Sequence, residues 1–255
     1  MTERWVRFKQ GETVRIGLLE GEQIRICEGR LLEGASPTGE QVPLAAVTLL
    51  TPVQPTKVIA LWNNFHALAR KLDLPEPAEP LYLLKSPNSY LAPGGVIRKP
   101  AGEGKVVYEG ELAVVIGRRA SRVTLENAEQ HVFGYTCVND VTVADILHRD
   151  ASFPQWVRAK GFDTFCPFGP AVATGLDPSQ LVVRTYLNGD LRQDYPVSDM
   201  RFSVAQLVSL ISHDMTLEPG DLILCGTSVG VGSMKPGSTV EVEISGIGRL
   251  SNRFE

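Results

Sequence analysis

Cysteine is scarce: Cys27, Cys137, Cys166 and Cys225 lie scattered along 255 residues with no C-x-x-C pair. That spacing excludes a zinc ribbon or a disulfide scaffold and suits buried thiols in a reducing compartment. No apolar run approaches the ~20 residues a membrane helix needs. The opening residues MTERWVRFKQ lack the apolar stretch of a secretory signal, so a cytoplasmic protein with no membrane partner is expected. Basic charge is not in excess, because 25 Lys and Arg stand against 29 Asp and Glu. A net charge of -4 leaves no electrostatic footprint for nucleic acid. Common catalytic signatures are missing too. Gly226-Thr227-Ser228-Val229-Gly230 has G-x-S-x-G spacing after DLILC, but VGSMKPGS cannot open a helix and no histidine follows His213. Gly226, Gly230 and Gly232 do not keep dinucleotide spacing, and there is no Walker A sequence. His148-Arg149-Asp150 stands without the other parts of a kinase site, and His131 and His213 fall on expected helices as structural residues.

What remains is strand signal. Residues 4–50 read as a small β module with turns at Gly11 and Gly21, giving an N-terminal unit over 1–50. TPVQPTKV (51–58) reads as a linker, and 56–255 as the main domain. WNNFHALARKLDL (62–74) has helical spacing until Pro75, Pro77 and Pro80 stop it. Helices are also expected near 124–131 and over 203–213, with Ser203 as the cap of the second. YLLKS, KVVYEGELAVVIG, HVFGYTCVND, CPFGPAVATG, LVVRTYLNGDLRQDY, DLILCG and STVEVEISGIGRLSNRF read as strands, with Asn188-Gly189 as a hairpin turn. Strands and helices do not alternate, so the expected class is mainly β with a few helices, a roll or sandwich.

Two acids interrupt an apolar strand at Tyr108-Glu109-Gly110-Glu111-Leu112. Positions i and i+2 of a strand share a face, so both carboxylates point one way. Two like charges buried together cost several kcal/mol unless neutralised, and a divalent cation is one answer. Asp140 ends the apolar run FGYTCVND and can turn into the same cleft. Three oxygen donors suit a hard cation such as Mg²⁺ or Mn²⁺, with Ca²⁺ as a crystallographic stand-in. An edge strand with solvent-facing glutamates would carry the same E-x-E spacing, and the pattern alone does not separate the two.

The blocks YEGELAVVIG, GYTCVNDVT, AKGFDTFCPFGP, LNGDLRQ and MTLEPGDLILCGTSVGVGSMKPGSTVEVEISGIG occur in order over residues 56–254. Together they resemble the fumarylacetoacetate hydrolase family. The stretch from LVVRTYLNGDLRQ to GIGRLSNRF is most similar to its isomerase/decarboxylase members of homoprotocatechuate (4-hydroxyphenylacetate) breakdown. The resemblance implies the family's mixed β-sandwich roll, a homodimer, and a small 2-oxo acid as substrate. It implies a metal on Glu109, Glu111 and Asp140, with Lys160 steadying a developing enolate. Thr227, with Gly226 beside it in CGTSVG, would bind the substrate carboxylate. Three carboxylates and a divalent ion leave one negative charge beside an anionic substrate, so cations are needed, and Lys85 and Lys160 are the candidates.

The chain departs from the family pattern in its lid. The motif N-Y-x-x-H-x-x-E falls on Asn64 to Lys71, which puts Leu68 and Lys71 where the family has His and Glu. His66 is the candidate replacement base if the lid registers differently. Ala144 stands where the family's NDVTARD has its arginine, with His148 or Arg149 close enough to compensate. Leu147 stands at a position that is polar in several keto-acid decarboxylases and argues against simple oxaloacetate. The expected activity is metal-dependent isomerisation or decarboxylation of 2-oxo or 2-hydroxydienoic dicarboxylic acids through an enolate. C–C hydrolysis of an acylpyruvate such as fumarylpyruvate is the alternative, and a non-catalytic binding protein a third reading.

Overall fold

A computed structural model describes residues 2–255, and its architecture is mainly β with a few short helices. Most of the expected strands form. LNGDLRQ makes the hairpin Val182–Leu187 / Asp190–Pro196. Its two turn residues, Asn188 and Gly189, take φ of 54° and 85°, the left-handed geometry of a type I′ turn. The helix expected over 203–213 is found at Val204–Asp214. Ser203 and Gln206 form a reciprocal capping box, and Val204, Leu207, Val208 and Ile211 turn inward on one face.

Ten strands of the largest sheet run in one order, from Ser36–Pro43 at one edge to Leu81–Lys85 at the other. Three neighbours within it carry the site: Val132–Asn139, Gly110–Ile116 and Leu222–Leu224. The N-terminal strands pair into this sheet. Glu3–Gln10 pairs antiparallel with Cys166–Thr174, matching Trp5 to Val172. One face buries Val58, Ala60, Ala113, Val115, Val138 and Leu224. The other face packs against the Val204–Asp214 helix and a five-stranded sheet containing Val183, Val242 and Ile244. No helix among the described residues is long and apolar enough to cross a membrane.

Three local differences from the sequence expectation matter for the site. KVVYEGELAVVIG is two strands, Val106–Tyr108 and Gly110–Ile116, broken at Glu109. Val106–Tyr108 joins a separate three-stranded sheet, and the Asn139 side chain takes the Glu109 N–H in place of a ladder bond (3.0 Å). The 124–131 segment forms a 3₁₀ helix, Leu125–His131. Two further helices, Ala144–Leu147 and Trp156–Lys160, carry four and five residues. That is too short for an apolar period to register in sequence.

Candidate metal centre

Glu111 lies on the same face as Ala113 and Val115, directly opposite Val138 on the neighbouring strand. Asp140 follows Val138 by two residues, so it emerges on that face at the strand end. Glu109 sits at the strand break, where its carbonyl accepts the Asp140 N–H (2.8 Å). One carboxylate oxygen from each of the three lies within 4.8 Å of the others. Gly110 makes this packing possible. A Cβ there would stand 1.9 Å from Thr185 Oγ1, so the intervening residue has no room for a side chain.

Two lysines complete the cluster. Lys160 Nζ donates to Asp140 Oδ2 (2.7 Å), Glu109 Oε2 (2.8 Å) and Thr142 Oγ1 (2.7 Å). Lys85 Nζ donates to Asp140 Oδ1 (2.6 Å) and to the Lys160 carbonyl (2.7 Å). Both ammonium groups are buried, with Lys85 1% and Lys160 3% exposed. Asp140, Glu111, Lys85 and Lys160 are therefore core residues, and solvated surface glutamates do not describe this chain.

The carboxyls divide by electrostatics. Burial drives Glu111 well above the usual glutamate range, and the Asp140 and Glu109 charges push the same way. Burial also raises Glu109, with the Lys160 charge pulling against it. Burial would raise Asp140, but the charges of Lys160 and Lys85 hold it below its usual value. Burial would lower Lys160, but Asp140, Glu109 and Glu111 outweigh it and keep the ammonium above the usual lysine range.

Glu111 carries the sign of a missing partner. Its Oε2 accepts the Gly226 N–H (2.9 Å), while its Oε1 is buried with no hydrogen-bond partner. A buried carboxyl oxygen left without a partner is costly, and a cation removes the cost. Three carboxylates with one orphaned oxygen fit a hard, oxygen-seeking ion such as Mg²⁺ or Mn²⁺.

The remaining candidates are placed less directly. The Thr227 hydroxyl donates to the Gly110 carbonyl (3.1 Å) and accepts from Gln193 Nε2 (2.9 Å), so it braces the glutamate strand rather than standing free. Gln193 Oε1 also accepts the Gly110 N–H (3.0 Å), a role with no sequence signal. In the lid, Asn64 is locked by Cys225 O (2.9 Å) and the Phe202 N–H (3.0 Å), and Leu68 is buried in the core. Leu68, which the resemblance sets at the family's histidine position, is thus an apolar core residue. His66 opens the short His66–Lys71 helix, and its Nδ1 lies 2.7 Å from Glu76 Oε1. This His–carboxylate pair draws its acid from a residue the sequence reading did not single out. Arg149, the neighbour of Ala144 considered in place of the absent arginine, pairs with Glu103 (2.6 Å). Leu147 packs into an apolar cluster.

The family described as fumarylacetoacetate (FAA) hydrolase C-terminal matches residues 57–255, and the Rv2993c-like N-terminal family matches residues 3–52. The structure of a 2-hydroxyhepta-2,4-diene-1,7-dioate isomerase from Mycobacterium marinum is 39% identical. It superposes with a TM-score of 0.90 over 99% of this chain and 98% of that one. The oxaloacetate tautomerase YisK of Bacillus subtilis is 35% identical over 257 residues, covering 93% of this chain and 84% of the relative. A fumarylpyruvate hydrolase from Pseudomonas aeruginosa, solved with Mn²⁺ and pyruvate, is 31% identical. Its TM-score is 0.73 over 80% of this chain and 90% of that one.

Proposed function

The chain belongs to the fumarylacetoacetate hydrolase family, and we propose that within it the protein is a Mg²⁺- or Mn²⁺-dependent isomerase/decarboxylase. Its substrates are 2-oxo or 2-hydroxydienoic dicarboxylic acids from aromatic-compound breakdown, such as the 4-hydroxyphenylacetate route. The observation that carries this reading is the buried cluster of Glu109, Glu111 and Asp140 with its orphaned Glu111 oxygen, faced by two buried ammonium groups. A divalent ion held by those three carboxylates supplies a Lewis acid for the 2-oxo group. Lys160 adds a fixed positive charge where the enolate forms, so it stabilises charge that the ground state lacks. Lys85 holds Asp140 and the Lys160 carbonyl in place. Thr227 and Gly226 would bind the substrate carboxylate, Gly226 standing between the Glu111 carboxylate and Asn64. A homodimer belongs to the same proposal, and light scattering reads it.

Side-by-side turnover of a 5-oxo-3-ene-tricarboxylate and an acylpyruvate with Mg²⁺, with and without chelator, tests the assignment. Turnover of the first that stops on chelation supports it. Failure to turn over either compound sinks it.

One observation favours a second reading, C–C hydrolysis of an acylpyruvate. Hydrolysis needs a base to take a proton from water, and the His66–Glu76 pair is of that kind. Acylpyruvate cleavage that collapses in His66→Ala would establish it.

A further inference from the structure

The sheet register extends the candidate site sideways. Ala113 pairs with Leu224 and Leu224 with Ala60, so two residues along each strand Glu111, Gly226 and Trp62 stand level. The Cys225 N–H to Leu112 O bond (2.9 Å) continues this register past the last formal pair, and the Gly226 N–H then turns to the Glu111 carboxylate (2.9 Å). Trp62 alternates with Val58 and Ala60, which puts it on the face that carries Glu111. Two strand spacings separate Trp62 from Glu111, about 10 Å. Gly226 lies between them and presents no side chain.

The Trp156–Lys160 helix reaches the same place by another route. The ring centroids of Trp62 and Trp156 are 4.7 Å apart. Trp156 and Lys160 are four residues apart on that helix, hence neighbours on one side of it. Lys160 in turn touches Asp140 and Glu109. Sheet and helix together put this aromatic pair on the face that carries the carboxylate cluster, about two strands away from it. Both indoles stay partly exposed, so they are not sealed into the core. Trp156 also lines an open groove of about 710 Å³ with Leu83, Phe153 and Val157.

We propose that Trp62, backed by Trp156, is the specificity-determining wall for the substrate tail, selecting 2-oxo acids with an extended planar, unsaturated tail over pyruvate-sized ones. The inference rests on the metal-site reading above. At about 1.2 Å per bond of extended chain, a tail of four to six atoms beyond the 2-oxo carbon covers about half to three quarters of that strand-to-strand distance. A short polar acid leaves the indole face unused, whereas a conjugated tail covers it.

The test is calorimetry on the Mn²⁺-loaded protein with two probes: oxalate, which has no tail, and benzylidenepyruvate, a planar conjugated 2-oxo acid. Trp62→Ala should weaken benzylidenepyruvate about tenfold or more and change oxalate less than twofold. Trp62→Phe should recover most of the loss, which a collapsed site could not do. Equal weakening of both probes, or no change in either, overturns the proposal and leaves the metal site standing. Wild-type protein that binds neither probe with Mn²⁺ overturns the metal-site reading itself, and the proposal with it.

Discussion

Replacing Glu111 with Gln separates the cost of the cluster from its use. The substitution keeps shape, and the amide oxygen can still accept the Gly226 N–H that now ends at Glu111 Oε2. What it removes is one negative charge within 4.8 Å of two others. At an effective dielectric of about 20, each such pair of unit charges repels by about 3.5 kcal/mol. The Lys160 charge offsets part of this, and a proton held by Glu111 caps the rest. Metal-free Glu111→Gln should therefore be more stable than metal-free wild type, by up to about 3 kcal/mol. For a chain of this size each kcal/mol moves Tm by roughly 2–4 °C. Metal affinity should move the other way, falling at least about tenfold, or ~1.4 kcal/mol. Thermal melts with and without Mg²⁺, paired with Mn²⁺ titration calorimetry, read both effects. Unchanged metal affinity, or a metal-free variant that melts lower, refutes the reasoning.

Lys160→Ala should lower kcat and kcat/KM together by about 10²–10³, since its charge acts on the developing enolate; a rise in KM alone would make it a binding residue. The same change leaves Asp140 and Glu109 without their shared ammonium and should cost about 3–5 kcal/mol in a metal-free melt. Gly110→Ala should lose at least 1–3 kcal/mol, because its Cβ collides with Thr185 Oγ1, and Thr185→Ala should restore part of that loss in the double variant. The Tm gain from Mg²⁺ should grow from pH 5.5 to 8. Folded Glu111 and Glu109 hold protons that the unfolded chain releases above its usual glutamate value, so metal-free stability falls as pH rises. Asp140 is lowered and would lose its contribution only below pH about 3.8, while Lys160 is raised and keeps its contribution in full across this range. A gain that is flat or shrinks with pH refutes the assignment of those two carboxyls.

Local chemistry with a strong signal was legible in the sequence. Glu109 and Glu111 stood out because charge inside an apolar strand is costly, and Asn188-Gly189 because few turns accept other residues. The Val204–Asp214 helix was legible because it spans three turns with a cap. Contacts set by the curl of the sheet were not. Lys85 and Asp140 are 55 residues apart and meet at 2.6 Å only because the edge strand comes back towards the strand end carrying Asp140. Trp62 and Trp156 join through a five-residue helix with no apolar period, and Glu76 reaches His66 from a proline-rich stretch. The strand break at Glu109 depends on an Asn139 side chain replacing a backbone bond, which no strand pattern records.

Charge balance bears on which reaction suits this site. Glu109, Glu111 and Asp140 against Lys85 and Lys160 sum to one negative charge when all are ionised, and a divalent cation turns that into one positive charge. Such a site accepts an anionic 2-oxo acid without a further counter-ion. Loss of CO₂ then moves a negative charge from carboxylate to enolate without changing the total, so no group in the cluster has to accept a proton. In the metal-free cluster the charges of Asp140, Glu109 and Glu111 hold Lys160 as the ammonium against its burial. Hydrolysis, by contrast, needs a base that changes charge during the reaction. The His–carboxylate pair in the lid, His66 with Glu76, is half exposed and makes no hydrogen bond to the cluster among the described residues. A lid movement would be needed to bring it to the reacting atoms, whereas the buried lysines are already in contact with the carboxylates. The electrostatics therefore favour chemistry that redistributes charge within the substrate over chemistry that removes a proton from water.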